Sequence, residues 1–227
     1  MLRHLVILAL APLAAQAQTP ADSPEVVPLN ENRIFKVIPD YQTVRDTHRA
    51  IAPMTSREKW RLAWKETIDP FNLGSAVLAA AMSQADNETP KYGRSGAAYA
   101  KRVGAAVGDF GTQGFLASGV FATLLHQDPR YFREGPESGV AKRICYSLSR
   151  IVVARQDSGR AAFNASNFLG MAGGIGLSNL YYPSASRTGS VMLSRVGTSL
   201  TGDVMGNLMS EFWPDIQKKF FQKKKKE

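Results

Sequence analysis

The chain has 227 residues, a formal net charge of +9 at pH 7 and a single cysteine, Cys145. One cysteine excludes an intramolecular disulfide, so packing and polar bonding have to hold the fold together. The charge is unevenly placed: Arg3 carries one unit and Lys218 to Glu227 a net five, which leaves the body at only +3.

Arg3 and His4 form a short basic start, Leu5 to Ala15 an apolar stretch, and Ala15-Gln16-Ala17 the small-x-small pattern of a cleavage site. An apolar stretch of about eleven residues is too short for a membrane span of roughly twenty. Residues 1–17 therefore read as a signal peptide, and the rest as an exported protein of the periplasm or cell envelope. No cysteine follows the cleavage site to take a lipid anchor. Export argues against nucleotide, cytosolic-cofactor and nucleic-acid roles.

Residues 18–53 carry Pro20, Pro24, Pro28, Pro39 and Pro53 with little periodicity, which predicts an extended arm. Ile34 to Ile38 suits one short strand or a segment laid on the body. Structure begins at Thr55-Ser56-Arg57-Glu58, a capping box, and the first helix stops before Asp69-Pro70. A second helix follows from about Phe71 to Asp86 and a third from about Ser95 to Gln127, ended by Asp128-Pro129. Gly139 to Arg155 predicts a basic amphipathic helix with an apolar stripe of Ile144, Leu148, Ile151 and Val152 and with Cys145 buried as a small apolar residue. Further helices are expected at about Arg160 to Leu180 and Arg187 to Phe212, the last stopping before Pro214. Alternation of period two is not sustained anywhere, which argues against an outer-membrane barrel. The fold class is all-α: a single helical bundle of about five to six helices over residues 54–217, preceded by the Pro-rich arm and followed by a basic tail, 218–227.

Three helices carry glycines four apart: Gly104 and Gly108, Gly170 and Gly174, Gly202 and Gly206. Such pairs let another backbone approach, inside a membrane or in a tight soluble bundle, and also permit oligomerisation through the glycine faces. The uncharged stretches Phe110 to Gln127 and Ala161 to Tyr182 contain too many Gly, Ser, Thr, Asn and Gln residues for a leucine-rich span. Buried or interfacial helices fit them better.

His126 and Asp128, two residues apart, are candidates for a base and its orienter. They also suit a helix end, with His126 at the negative pole of the dipole and Asp128 capping the turn. No companion nucleophile, His-Glu-x-x-His pattern or cofactor motif accompanies them, so neither an enzyme nor a metal or cofactor is identified. Arg130, Arg150, Arg155, Asp157 and Arg160 gather about one helix junction, as an ion-pair network through Asp157 or a site for an acidic ligand or lipid headgroup. In the last helix Arg195, Ser199, Asp203, Asn207 and Glu211 recur every four residues. Asp203 and Asn207 are expected to satisfy Arg160, Asn164 and Asn167 across a helix pair, a polar core network of Asn164, Asn167, Asp203 and Asn207.

Four phrases, Leu124-Leu125-His126-Gln127-Asp128-Pro129-Arg130-Tyr131-Phe132-Arg133, Arg155-Gln156-Asp157-Ser158-Gly159, Tyr181-Tyr182-Pro183 and Glu211-Phe212-Trp213-Pro214-Asp215-Ile216, resemble those of an uncharacterised family of exported bacterial proteins. The resemblance covers about Trp60 to Phe221. It implies one folded unit and carries no activity. The sequence thus predicts a non-enzymatic envelope protein, membrane-associated or partner-binding, with anionic lipid or another envelope protein as its partner.

Overall fold

The computed structural model describes residues 33–45, 51–86 and 90–221. The expected signal peptide, most of the arm and the last six residues of the tail lie outside the described residues. What is described is mainly helical, with short strands tying the helices together.

Two segments of the arm lie against the body. β1 (Arg33–Ile34) and β2 (Ile38–Pro39) form a small antiparallel hairpin where one strand was expected. Its turn passes through Phe35 and Lys36, both left-handed at φ 51° and 63°. β3 (Thr43–Val44) then pairs in parallel with β5 (Tyr131–Phe132).

α1 (Ser56–Thr67) starts at the capping box: the Glu58 N–H donates to Thr55 Oγ1 at 3.3 Å and the Thr55 N–H to Glu58 Oε2 at 2.7 Å. α2 (Pro70–Asp86) is capped by Asp69, whose Oδ1 accepts from the Phe71 N–H at 2.9 Å. Pro70 occupies its first turn, where a missing N–H costs nothing. α3 (Gly96–Gly114) runs on without a break into a π-helical segment, Phe115–Phe121, and α4 (Ala122–Leu124). The long third helix therefore forms, but it ends earlier than expected. His126 takes a left-handed φ of 52°, and the chain enters β4 (Gln127–Asp128) before Pro129 can act.

The two following helices are also shorter than the sequence predicts. α5 (Val140–Ser149) stops six residues early, because Val153–Gln156 forms β6, the centre of a three-stranded antiparallel sheet with β4 and β7 (Ala161–Phe163). Ile151, Val152 and Val153 are β-branched and favour this extended path. α6 (Ala165–Ser178) starts only after Asn164, whose amide donates to the carbonyls of Arg150 and Ile151. After a 3₁₀ turn, Ser184–Ser186, α7 (Gly189–Phe221) runs straight through Pro214, where a stop was expected.

The interior is built from small residues. Leu62, Ala63, Ala76 and Ala122 are fully buried, while many larger apolar side chains are exposed. Close backbone approach explains how this suffices at one crossing. A Cβ on Gly170 would lie 2.6 Å from Ala117 Cβ and 2.7 Å from its Cα, and one on Gly174 would lie 3.2 Å from Gln113 Cα. Gly108 faces the Tyr181 ring, whereas Gly104, Gly202 and Gly206 have nothing within 4 Å, so only one of the three glycine pairs joins two helices as a pair. No helix is long and apolar enough to cross a membrane, among the described residues.

Gly170→Ala should therefore lower stability by about 1–3 kcal/mol, since α6 must move off the π-helical segment. Gly202→Ala should be neutral or stabilise by up to about 1 kcal/mol through helix propensity. Denaturant unfolding of the two variants measures the contrast.

Candidate functional site

Two of the four phrases singled out in the sequence, Leu124 to Arg133 and Glu211 to Ile216, meet at one buried carboxylate. Glu211 is fully buried in α7 and accepts from Arg143 Nε at 2.7 Å, Tyr131 Oη at 3.0 Å and the N–H groups of Glu134 and Gly135 at 3.1 and 3.2 Å. Its carbonyl accepts from Arg143 Nη2 at 2.7 Å and Arg133 Nε at 2.9 Å. Both guanidiniums continue to Asp215, at 2.6 and 3.0 Å. The Glu211 carbonyl lies in the turn before Pro214, so two guanidiniums support the helix where the proline interrupts its hydrogen-bond ladder. Burial above all, with Glu211 alongside, holds the Tyr131 phenol well above its ordinary pKa.

The proposed base and orienter do not meet. Asp128 is buried and bound to Arg130, which donates Nε at 2.9 Å, Nη2 at 2.6 Å and its backbone N–H at 3.1 Å. His126 is 82 % exposed and points to Asp157, 3.8 Å away. Asp128 caps its own turn and His126 ends a helix, so the structural alternative for these two residues is what forms. Among the described residues no group of His, Cys, Asp and Glu is arranged to hold a metal.

Nor do the arginines form a network through Asp157. Asp157 is taken by Lys59, whose Nζ reaches both carboxylate oxygens at 2.7 and 2.8 Å and the Ala122 carbonyl at 3.2 Å. Arg155 lies over the Phe132 ring at 4.4 Å and Arg150 over Tyr146 at 5.7 Å, while Arg160 is exposed. Arg150 and Arg155 are half-buried and have no carboxylate partner among the described residues.

Every member of the five-residue row on α7, Glu211 included, reaches another element. Arg195 pairs with Asp109 at 2.9 Å, Ser199 donates to Gln113 at 2.9 Å, Asp203 accepts from Asn167 at 2.7 Å, and Asn207 donates to the Ser147 carbonyl at 3.2 Å. The expected pairing across α6 and α7 is thus real for Asn167 and Asp203 only. Asn164 precedes α6 and turns its amide to the Arg150 and Ile151 carbonyls, and Asn207 turns to α5. Burial raises the Asp203 pKa, partly offset by the Asn167 bond.

Two buried polar residues, Lys59 and Arg102, and the half-buried Glu66 carry no signal in the sequence. Lys59 and Arg102 are each 1 % exposed, and Arg102 is satisfied by Gln84, Ser83 and the Gly93 carbonyl. Glu66 faces the π-helical segment, and burial pushes its pKa up to about 7 against bonds from Gln42 and Ser118. Lys59 and Glu66 sit on a helix with six charged residues out of twelve, so charge alone does not mark them. Comparison with known protein families, curated proteins and solved structures finds no match.

Arg143→Met should cost about 3–5 kcal/mol by leaving Glu211 buried and uncompensated, whereas His126→Ala should stay within about 0.5 kcal/mol. Both are read from chemical denaturation. The folded state keeps a proton on Glu66 that the unfolded chain releases near the ordinary glutamate value of 4.5. Its contribution is therefore complete below that pH and is lost as pH rises toward about 7. Glu66→Gln should flatten the fall in stability across this window, as measured by thermal unfolding against pH.

Proposed function

We propose that the protein is an exported, non-enzymatic helical bundle attached to the surface of an envelope membrane. The observation that carries this reading is an inverted distribution of polarity. Lys59, Arg102, Arg143 and Glu211 are buried, while Leu78, Met82, Val140, Leu180 and Leu193 are 63 to 81 % exposed. Buried charge is costly and exposed apolar surface gains nothing from water, so this arrangement calls for an apolar partner outside the chain. With no helix suited to crossing a bilayer among the described residues, shallow contact with its surface is the fitting mode. The lysines from Lys218 onward favour an anionic surface, at about 1 kcal/mol per lysine near it.

An acidic-ligand binder at the arginine-rich junction would keep only Arg150, Arg155 and Arg160, since Asp128 holds Arg130 and Lys59 holds Asp157. An enzyme built on His126 and Asp128 would need them to face one space, and they do not.

Fractionation of cells producing the full chain tests the proposal. The protein should sediment with membranes, come off only in part with high salt because apolar contacts remain, and leave completely in alkaline carbonate. Recovery wholly in the soluble periplasmic fraction would sink it.

A further inference from the structure

Apolar side chains are exposed on several helices, and the charge that shares each face differs. On α5, Arg143, Tyr146 and Ser147 turn inward, to Glu211, the Phe132 carbonyl and Tyr131 Oη. The stripe expected to line the core, Ile144 and Leu148 with Val152, therefore lies outside, and Cys145, expected to be buried, lies outside with it. Turning the helix over would bury the stripe but strip Glu211 of its guanidinium, so the ion pair decides the orientation. That face is purely apolar: Glu134 holds Lys142, and Arg150 falls on the docked side, over Tyr146. α2 exposes Leu73, Val77, Leu78 and Met82 and has no basic residue at all.

α1 is different. It buries Lys59, Leu62 and Ala63. At about 100° per residue, the side opposite them is an arc of about 100° that holds Trp60, Trp64, Arg57, Ile68 and Arg61, and all five are exposed. Trp60, Trp64 and Ile68 are 37, 56 and 63 % exposed, although both indoles also meet the Phe115 ring edge-on, at 5.2 and 5.1 Å. Arg57 and Arg61 make no hydrogen bond or ion pair among the described residues. No acid shares their arc: Glu58 closes the capping box, Glu66 lies on the core side with Gln42, and the π-helical segment alongside has no charged residue. Lys65, at the edge of the arc, is taken up by the Tyr41 ring at 3.8 Å.

Two indoles, an isoleucine and two unpaired guanidiniums on one exposed arc are complementary to an anionic lipid surface. Indoles settle where headgroups meet acyl chains, and guanidiniums take phosphate oxygens in pairs. A second copy docked face to face would instead bring four guanidiniums together with no acid between them. The geometry points to α1 as the helix that lies on that surface, with Trp60, Trp64 and Ile68 at the acyl boundary and Arg57 and Arg61 on headgroup phosphates. This assignment rests on the membrane-surface reading above and adds to it which helix makes the contact.

The face carries its own reporters. Of the chain's three tryptophans, Trp213 is 3 % exposed against Phe35, so a change in indole emission on binding reports Trp60 and Trp64. The full mature chain is mixed with vesicles of phosphatidylcholine alone or with added phosphatidylglycerol. With the anionic vesicles the emission should shift to the blue and be quenched by lipids brominated on their acyl chains. Arg57→Ala combined with Arg61→Ala, both at exposed positions, should weaken binding to these vesicles about tenfold or more, while Ile144→Glu on α5 should leave it unchanged. Circular dichroism checks that the variants fold. Cosedimentation with vesicles while the indoles stay unquenched would overturn the role of α1 and leave surface attachment standing. The same holds if Ile144→Glu, and not the double arginine variant, abolishes binding. Equal binding to vesicles without phosphatidylglycerol would overturn the assignment of Arg57 and Arg61 to headgroup charge. Absence of binding to either vesicle type would remove both proposals. A concentration-dependent blue shift without vesicles would give the face to a second copy of the chain and overturn the inference.

Discussion

The buried carboxylate of Glu211 constrains more of this structure than any apolar contact does. An ionised group out of water needs several donors at once, or its burial is prohibitive. Here they come from three separate places: Arg143 on α5, Tyr131 on β5, and the backbone of Glu134 and Gly135 just beyond it. Meeting that demand fixes the rotation of α5 about its axis and the approach of β5, and through β5 the docking of β3 from the arm. It also fixes the path of α7 through a proline. The consequence for the surface is direct, since a helix rotated to aim Arg143 inward aims its apolar stripe outward.

The same logic repeats at lower charge along α7. A helix with an apolar stripe would normally bury that stripe; this one docks through Arg195, Ser199, Asp203, Asn207 and Glu211, with Leu193 and Met205 left exposed. Arg102 between α2 and α3 and Lys59 beneath β6 are further polar struts. Alanine and glycine fill the space between them, and where α6 crosses the π-helical segment the two backbones touch. A chain without disulfides has here replaced bulky cores by polar ties and close backbone contact.

What the sequence reveals and what it hides divide along physical lines. Local signals were legible: the capping box of Thr55 and Glu58, Asp69-Pro70 between two helices, and the spacing of the polar row on α7 all correspond to bonds that form. Each depends on residues within one or two turns. Periodicity also located the stripe of α5, but a period has no inside or outside. Which side faces the core was decided by Glu211, 68 residues away from Arg143. Strands of two to four residues carry no measurable alternation, so in the sequence β4, β6 and β7 resemble helix ends. Pro214 looks like a stop in the sequence because the guanidiniums that support its turn come from elsewhere in the chain. Proximity in sequence misled once, since His126 and Asp128 straddle a left-handed residue position and a strand start and leave in different directions.

Polar seams behave differently from apolar ones when the surroundings change. A hydrogen bond between neutral side chains contributes only about 0.5–1.5 kcal/mol against competing water, and more where water is excluded and the local dielectric is low. The first half of α7 depends on one ion pair, Arg195 to Asp109, and on the bonds of Ser199 to Gln113 and Asn167 to Asp203, while Gly202 and Gly206 pack on nothing. In water that half of the helix is held less firmly than the half anchored by Arg143, Glu211 and Asp215. Against an apolar surface the seam would tighten, because the exposed Leu193 and Met205 would leave water and the polar row would lose its competitor. On the membrane-surface reading, the inverted polarity that brings the protein to lipid is therefore also what completes its packing there, so that attachment and the ordering of α7 are one equilibrium.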